Sequence, residues 1–281
     1  MYKQIMLLLK LMILCLFNTA TSAMNSEVKE CASTNYYLGL SCLEANQLNE
    51  AWHYFLNALE AGCPYSARYL GLISFKNEWI NLAKQFLQKA CNAPDPDAFY
   101  YLGIIYEKED IKIAKDCFIQ ATIHGHKEAE NRLGLIAFSE NDYVNAEEFF
   151  KFGIEKGSLY AECNLGSLYM HLNSPEKAKD CYQNAAEKGS ISAQYLLGLA
   201  YLKIQDMPKN RLEAAKCFSF MILTENHIPS FFYLARFYQK ANMMGHAFHY
   251  YLMAAELGHK KAKKILEKLC NAETMNANPM S

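Results

Sequence analysis

Proline and glycine are scarce in this chain, at 7 and 13 of 281 residues. That scarcity fits helices joined by short turns. An excess of one charge is missing too. The 28 basic and 29 acidic residues leave a net charge of −1, which argues against broad electrostatic capture of nucleic acid or an anionic membrane. Signatures of catalysis are absent: there is no GxxxxGK[ST], no GxSxG, no HExxH and no C-x-x-C. No cofactor is therefore implied. What the chain has in quantity is apolar surface. Its apolar fraction of 52% excludes disorder as the overall state, and 19 Tyr with 16 Phe supply many rings that need a place.

The first residues form a class of their own. Lys3 precedes a mostly apolar run from Ile5 to Phe17, interrupted by Lys10, and Thr21-Ser22-Ala23 offers small residues where a signal peptidase needs them. Residues 1–23 read as a secretory signal cleaved after Ala23, and the run is too short and too charged for a span of about 20 apolar residues. Lipidation at Cys15 is opposed by the bulky Leu14 before it. Export to the periplasm or beyond follows, with no stable membrane span after cleavage. Residues 24–33 are a polar lead-in. Nine of ten cysteines remain, an odd number at irregular spacing, which does not make a disulfide framework. An oxidising compartment allows bonds, and Cys31 with Cys42 is the pair best placed for one.

From residue 34 a tetrad recurs seven times, typified by Tyr100-Tyr101-Leu102-Gly103. Its last residue is Gly39, Gly71, Gly103, Gly134, Gly166, Gly198 and Ala235, at spacings of 32, 32, 31, 32, 32 and 37. A fixed period between roughly 20 and 50 residues marks a solenoid. Each period reads as two helices. Helix A carries Ala98, Leu102, Gly103, Ile105 and Tyr106 on one stripe. Helix B carries Ala at the start of its pattern, an aromatic or Cys at +3, an aromatic at +4 and a small residue at +7, as in Ala178, Cys181, Tyr182 and Ala185. A glycine inside a helix costs about 1 kcal/mol against alanine. Its recurrence implies close approach of two helices, with the +4 ring filling the space beside it. Cys117, Cys181 and Cys217 share one repeat position with aromatics in other copies, so they read as free packing thiols.

Gly62, Gly125, Gly157, Gly189 and Gly258 each follow a helix-B Ala by 11 residues and read as left-handed helix stops. Copy two uses Pro94-Asp95-Pro96-Asp97 instead, and in copy six Glu225 takes the Gly position. Copy six also has a longer A-to-B linker through Gln205-Asp206-Met207-Pro208-Lys209-Asn210. Ala262 to Leu269 reads as an eighth A-type helix capping the stack, and 271–281 as a disordered tail.

These residues resemble the Sel-one-like repeat family, a relative of the tetratricopeptide repeat, over 34–270. The family pattern A-x-x-x-L-G-x-x-Y, then A-x-x-[WYF]-[YF]-x-x-A-A-x-x-G, is matched by Ala193 to Tyr201 and by Ala178 to Gly189. Most copies have a Gly-to-Ala spacing of 12, as in tetratricopeptide repeats, against 16 in copy six. The resemblance implies an all-α, right-handed solenoid of about seven helix-turn-helix repeats, with A helices on the concave face. It also implies an adaptor or scaffold role, in envelope regulation or host interaction for exported members.

If A helices face inward, two rows should line a groove. Three residues before the repeat Gly stand Tyr36, Arg68, Tyr100, Asn131, Cys163, Tyr195 and Phe232. Five after it stand Glu44, Lys76, Lys108, Ser139, His171, Lys203 and Lys240. Rings and Arg anchor interfaces, and a lysine row favours an acidic segment of a partner protein or peptide. The alternative for the first row is packing between repeats. His246 and His249 lie at i, i+3 with His259 beyond, but no clear third ligand stands near, so no metal is assigned. His124 and His126 read as exposed turn residues. The competing class of function is an exported cell-wall-active or thiol-active enzyme, which a reactive cysteine would reveal.

Overall fold

A computed structural model describes residues 32–204 and 207–277, with side chains as far as Cys270. The expected signal 1–23, nearly all of the lead-in, Cys31 of the Cys31–Cys42 pairing, and Gln205 with Asp206 lie outside those residues. All regular structure among the described residues is helical, in fifteen consecutive helices. The chain divides into two compact units at Ala129 and Glu130.

In the first unit α1 (residues 32–44) and α2 (Leu48–Glu60) form repeat one. Repeat two is α3 (Ser66–Lys76) with α4 (Ile80–Ala90), and repeat three is α5 (Pro96–Tyr106) with α6 (Ile111–Ile123). From α2 to α6 each helix packs against the next, and α3 also touches α5, so successive A helices meet directly.

The second unit carries repeat four as α7 (Ala129–Ser139) and α8 (Tyr143–Glu155), and repeat five as α9 (Leu159–His171) and α10 (Pro175–Glu187). Repeat six is α11 (Ile191–Lys203) with α12 (Pro208–Glu225), and repeat seven is α13 (Ile228–Lys240) with α14 (Met244–Glu256). The closing α15 (Lys260–Ala277) packs on α14 and extends past the boundary expected at residue 270. Here too successive A helices touch, α9 with α11.

The expected seating of glycine against a ring holds in both units. A Cβ placed on Gly103 would lie 2.7 Å from the Phe118 ring, and one on Gly166 would lie 2.6 Å from the Tyr182 ring. Phe55, Phe150 and Phe218 fill the same space beside Gly39, Gly134 and Gly198, and Leu87 does so beside Gly71. These +4 side chains are fully buried. Each such side chain taken from water stabilises the fold by roughly 1.5–3 kcal/mol, and no room is left for a methyl group.

The turns follow a rule of their own. The five helix-B stops are left-handed glycines, for example Gly62 at φ 91° and Gly189 at φ 96°. In copy six α12 runs on through Glu225, and Asn226 supplies the left-handed residue at φ 50°. The A-to-B turns hold a second left-handed position seven residues after the repeat Gly: Asn46, Glu78, Asn141, Asn173 and Asn242. Asn tolerates that conformation through its short polar side chain. The long linker of copy six is shorter than its sequence suggests, because Pro208-Lys209-Asn210 already forms the first turn of α12. Proline suits that position, having no N–H to leave unpaired.

Candidate partner-binding surface

The first row turns out to contact the next repeat. In the first unit Tyr36 meets Phe55 and Tyr69 edge-on, with centroids 6.1 and 5.9 Å apart, and burial pushes its hydroxyl up to about 12. Arg68 places Nη1 3.5 Å from Asp95 Oδ1 and 2.9 Å from Asp97 Oδ2, with its guanidinium 4.6 Å above the Tyr69 ring. Asp95 is the N-cap of α5 and accepts from the N–H groups of Asp97 and Ala98. Tyr100 stacks on His126, whose Nδ1 accepts from the Glu128 N–H at 3.2 Å. His126 is thus half-buried against a ring, and the expectation of an exposed turn residue is corrected.

The second unit repeats the arrangement. Cys163 Sγ lies 3.7 Å from the hydroxyl of Ser190, the N-cap of α11. The Tyr195 ring meets His227, the N-cap of α13, at 4.6 Å. Phe232 stacks at 4.5 Å on His259, whose Nδ1 accepts from the Ala262 N–H in the first turn of α15. Asn131 accepts from Asn164 Nδ2 at 2.7 Å. Asn131 and Phe232, both expected in the groove, are buried and offer little surface to a partner. In five of the seven copies the residue at position −3 pairs with the one at position −8 of the next A helix, whereas Tyr36 and Asn131 meet Tyr69 and Asn164 at its position −2. Ring meets imidazole, guanidinium meets carboxylate, thiol meets hydroxyl.

The second row remains at the surface. Lys76 and Lys108 are exposed at the ends of α3 and α5, as are Lys203 and Lys240 at the ends of α11 and α13. His171 is exposed but engaged: its Nε2 lies 3.1 Å from the Tyr143 hydroxyl, and its ring meets Phe138 edge-on at 5.3 Å. Two of the four lysines converge on one concavity in the second unit. This cavity, of about 530 Å³, lies between α9, α11, α12 and α13. Leu199, Ala215, Phe218 and Tyr233 supply apolar lining, while Lys203, Arg211, Arg236 and Lys240 supply charge of one sign. Arg211 and Arg236 were not legible as site residues.

The remaining sequence candidates are held by packing. His246 stacks on Tyr238 at 5.1 Å and His249 meets Tyr250 edge-on at 5.3 Å. Among the described residues no group of three or more His, Cys, Asp or Glu could hold a metal ion. Cys117 and Cys217 are buried and Cys181 is half-buried, and all three are free thiols. Burial pushes the thiols of Cys117, Cys181 and Cys217 up to about 11 and that of Cys91 up to about 12. A thiol so far above neutrality supplies little thiolate for nucleophilic chemistry. No helix among the described residues is long and apolar enough to cross a membrane.

The sequence profile of the Sel1 repeat family matches residues 32–63, 67–95, 159–190, 191–220 and 242–259, half of the chain. The fold is similar to that of a Sel1 repeat protein from Oxalobacter formigenes, with a TM-score of 0.64 and 21% identity, covering 78% of this chain and 98% of that one. It is also similar to a protective antigen of uropathogenic Escherichia coli with an SLR fold, at a TM-score of 0.50 and 20% identity, covering 87% of this chain and 67% of that one. The C-terminal part of a TPR repeat-containing protein from Cytophaga hutchinsonii is similar at a TM-score of 0.59 and 16% identity, covering 82% and 98%. No curated protein matches the chain in sequence.

Proposed function

Because the chain belongs to the Sel1 repeat family, we propose that it is an exported scaffold whose A-helix surfaces hold a segment of a partner protein. The repeat fold itself supports a protein–protein interaction scaffold. One observation carries the finer reading. On a framework of buried Ala, Gly and rings, the A helices leave Lys76, Lys108, Lys203 and Lys240 exposed at one equivalent position. Four of the seven copies place lysine at this exposed position, against Glu44, Ser139 and His171 in the others, and a mostly basic row is suited to recognising an acidic segment. Residues 1–23 support export, and an envelope or host-facing role follows from that location. The raised thiols favour this reading over a thiol-active enzyme.

The test is chemical crosslinking of the full chain in its own cells, followed by capture from envelope and culture fractions. Intact-mass measurement of the mature protein is expected to show loss of residues 1–23. Reversal of Lys76, Lys108 and Lys203 to Glu is expected to weaken capture of the partner and its salt dependence while the melting temperature holds. Capture unaltered by all three reversals overturns the A-helix surface.

A further inference from the structure

The cavity in the second unit sits where three repeat positions depart from their pattern together. One residue after the repeat Gly, the other copies carry Leu40, Leu72, Ile104, Leu135, Ser167 and Leu199, and copy seven carries Arg236. Three residues before the helix-B Ala, the other copies carry Leu48, Ile80, Ile111, Tyr143, Pro175 and Met244, and copy six carries Arg211. One residue after that Ala stand larger side chains such as Trp52, Glu147 and Phe248, and copy six carries Ala215. All three exceptions line the same cavity, with Lys203 and Lys240 at its edge. Shrinking one side chain opens the space, and two replacements put cations on it. Arg236 is exposed and Arg211 half-buried, so neither is a core side chain that helix packing requires.

We propose that this cavity is a binding site for a peptide segment with an apolar side chain flanked by carboxylates. The inference rests on the scaffold reading and names the chemistry of the partner. The volume of about 530 Å³ is that of a small-ligand pocket, with an apolar floor to take a Leu or Phe side chain. The chain has a net charge of −1, yet every charged side chain lining the cavity is basic. Lys203 and Arg236 have no carboxylate within ion-pair reach among the described residues. One carboxylate, as on a fatty acid, would leave one of these two cations unanswered, whereas an acidic peptide brings a carboxylate to each. The favoured occupant is therefore a peptide.

The probe is a fluorescein-labelled hexapeptide with two acidic residues on either side of Leu-Phe, added to the full mature chain and read by fluorescence anisotropy. Saturable binding is expected, weakening as salt rises. The Lys203→Glu, Arg236→Glu double variant changes two exposed residues and should weaken it by roughly tenfold or more. Ala215→Phe restores the bulk found at Phe248 and should weaken it while leaving the charges in place. Equal binding of a Gln/Asn version of the peptide overturns the proposal, as does unaltered binding by both variants. Saturable binding of oleate with none of the peptide overturns the peptide as occupant. If the crosslinked partner is still captured by both variants, this site falls and the scaffold reading stands.

Discussion

Tyr100 lies flat against His126, with 3.9 Å between ring centroids and 15° between their planes. Tyr100 belongs to α5, and His126 belongs to the turn leading into the next repeat. The pair is therefore a joint that ties α5 to the turn that follows α6 within the first unit, with the Glu128 N–H donating to His126 Nδ1 and Asp97 Oδ1 lying 3.7 Å from Nε2.

The joint is expected to be coupled energetically. Tyr100→Ala and His126→Ala should each destabilise the first unit, and the double variant should lose less than the two together. A coupling of about 0.5–1.5 kcal/mol is expected for such a ring pair. Urea unfolding of the four proteins measures it, and simple additivity would refute the joint.

Two glycines separate space from helix propensity. Gly166→Ala drives a Cβ to 2.6 Å from the Tyr182 ring, whereas a Cβ on Gly245 meets nothing within 4 Å. The first should cost about 1–3 kcal/mol through overpacking. The second should stabilise by up to about 1 kcal/mol, since Ala is the better helix former. Thermal melts of both variants decide, and equal effects would exclude the packing explanation.

Stability should fall in mild acid through His227. Burial beside Tyr195 lowers its imidazole below the ordinary 6.5, against an opposing pull from Glu225. The folded chain then holds fewer protons than the unfolded one in this range. Its contribution is fully present above the unfolded value of about 6.5 and is lost as pH falls through the folded value. His227→Asn is expected to flatten the decline of the urea midpoint between about pH 7 and pH 5. An unaltered slope would remove His227 as its source.

Iodoacetamide labelling of the folded chain should rank its cysteines. Cys270 is exposed and should react first, whereas Cys117 and Cys217 are buried, with thiols pushed up to about 11. Labelling near pH 7 followed by peptide mass analysis gives the order. Rapid reaction at Cys117 or Cys217 would revive a thiol-active enzyme.

The repeats were legible because Gly103, Phe118 and their equivalents answer one steric demand with one solution, so the period is visible in a single chain. The joints were hidden for the opposite reason. Position −3 varies through Arg68, Tyr100, Cys163 and Phe232, and variation read alone resembles recognition. It is matched by Asp95, His126, Ser190 and His259, which lie in the next copy, and only the pairs carry the pattern. The cavity was half visible. Lys203 and Lys240 follow from the period, whereas Arg211 and Arg236 stand at positions whose direction depends on packing. The left-handed Asn46, Asn141, Asn173 and Asn242 were available as a recurrent Asn seven residues past the Gly.

The joints also set where this chain can be cut and respliced. A segment exchanged from one A-to-B turn to the next, from Asn141 to Asn173 for instance, would part Cys163 from Ser190 and graft mismatched edges together. Crossovers placed at the start of an A helix, between Ser190 and Tyr195 for instance, keep each such couple whole. Duplication and loss of copies in this lineage should therefore leave their scars at those helix starts, and designed chimaeras should be built in the same phase.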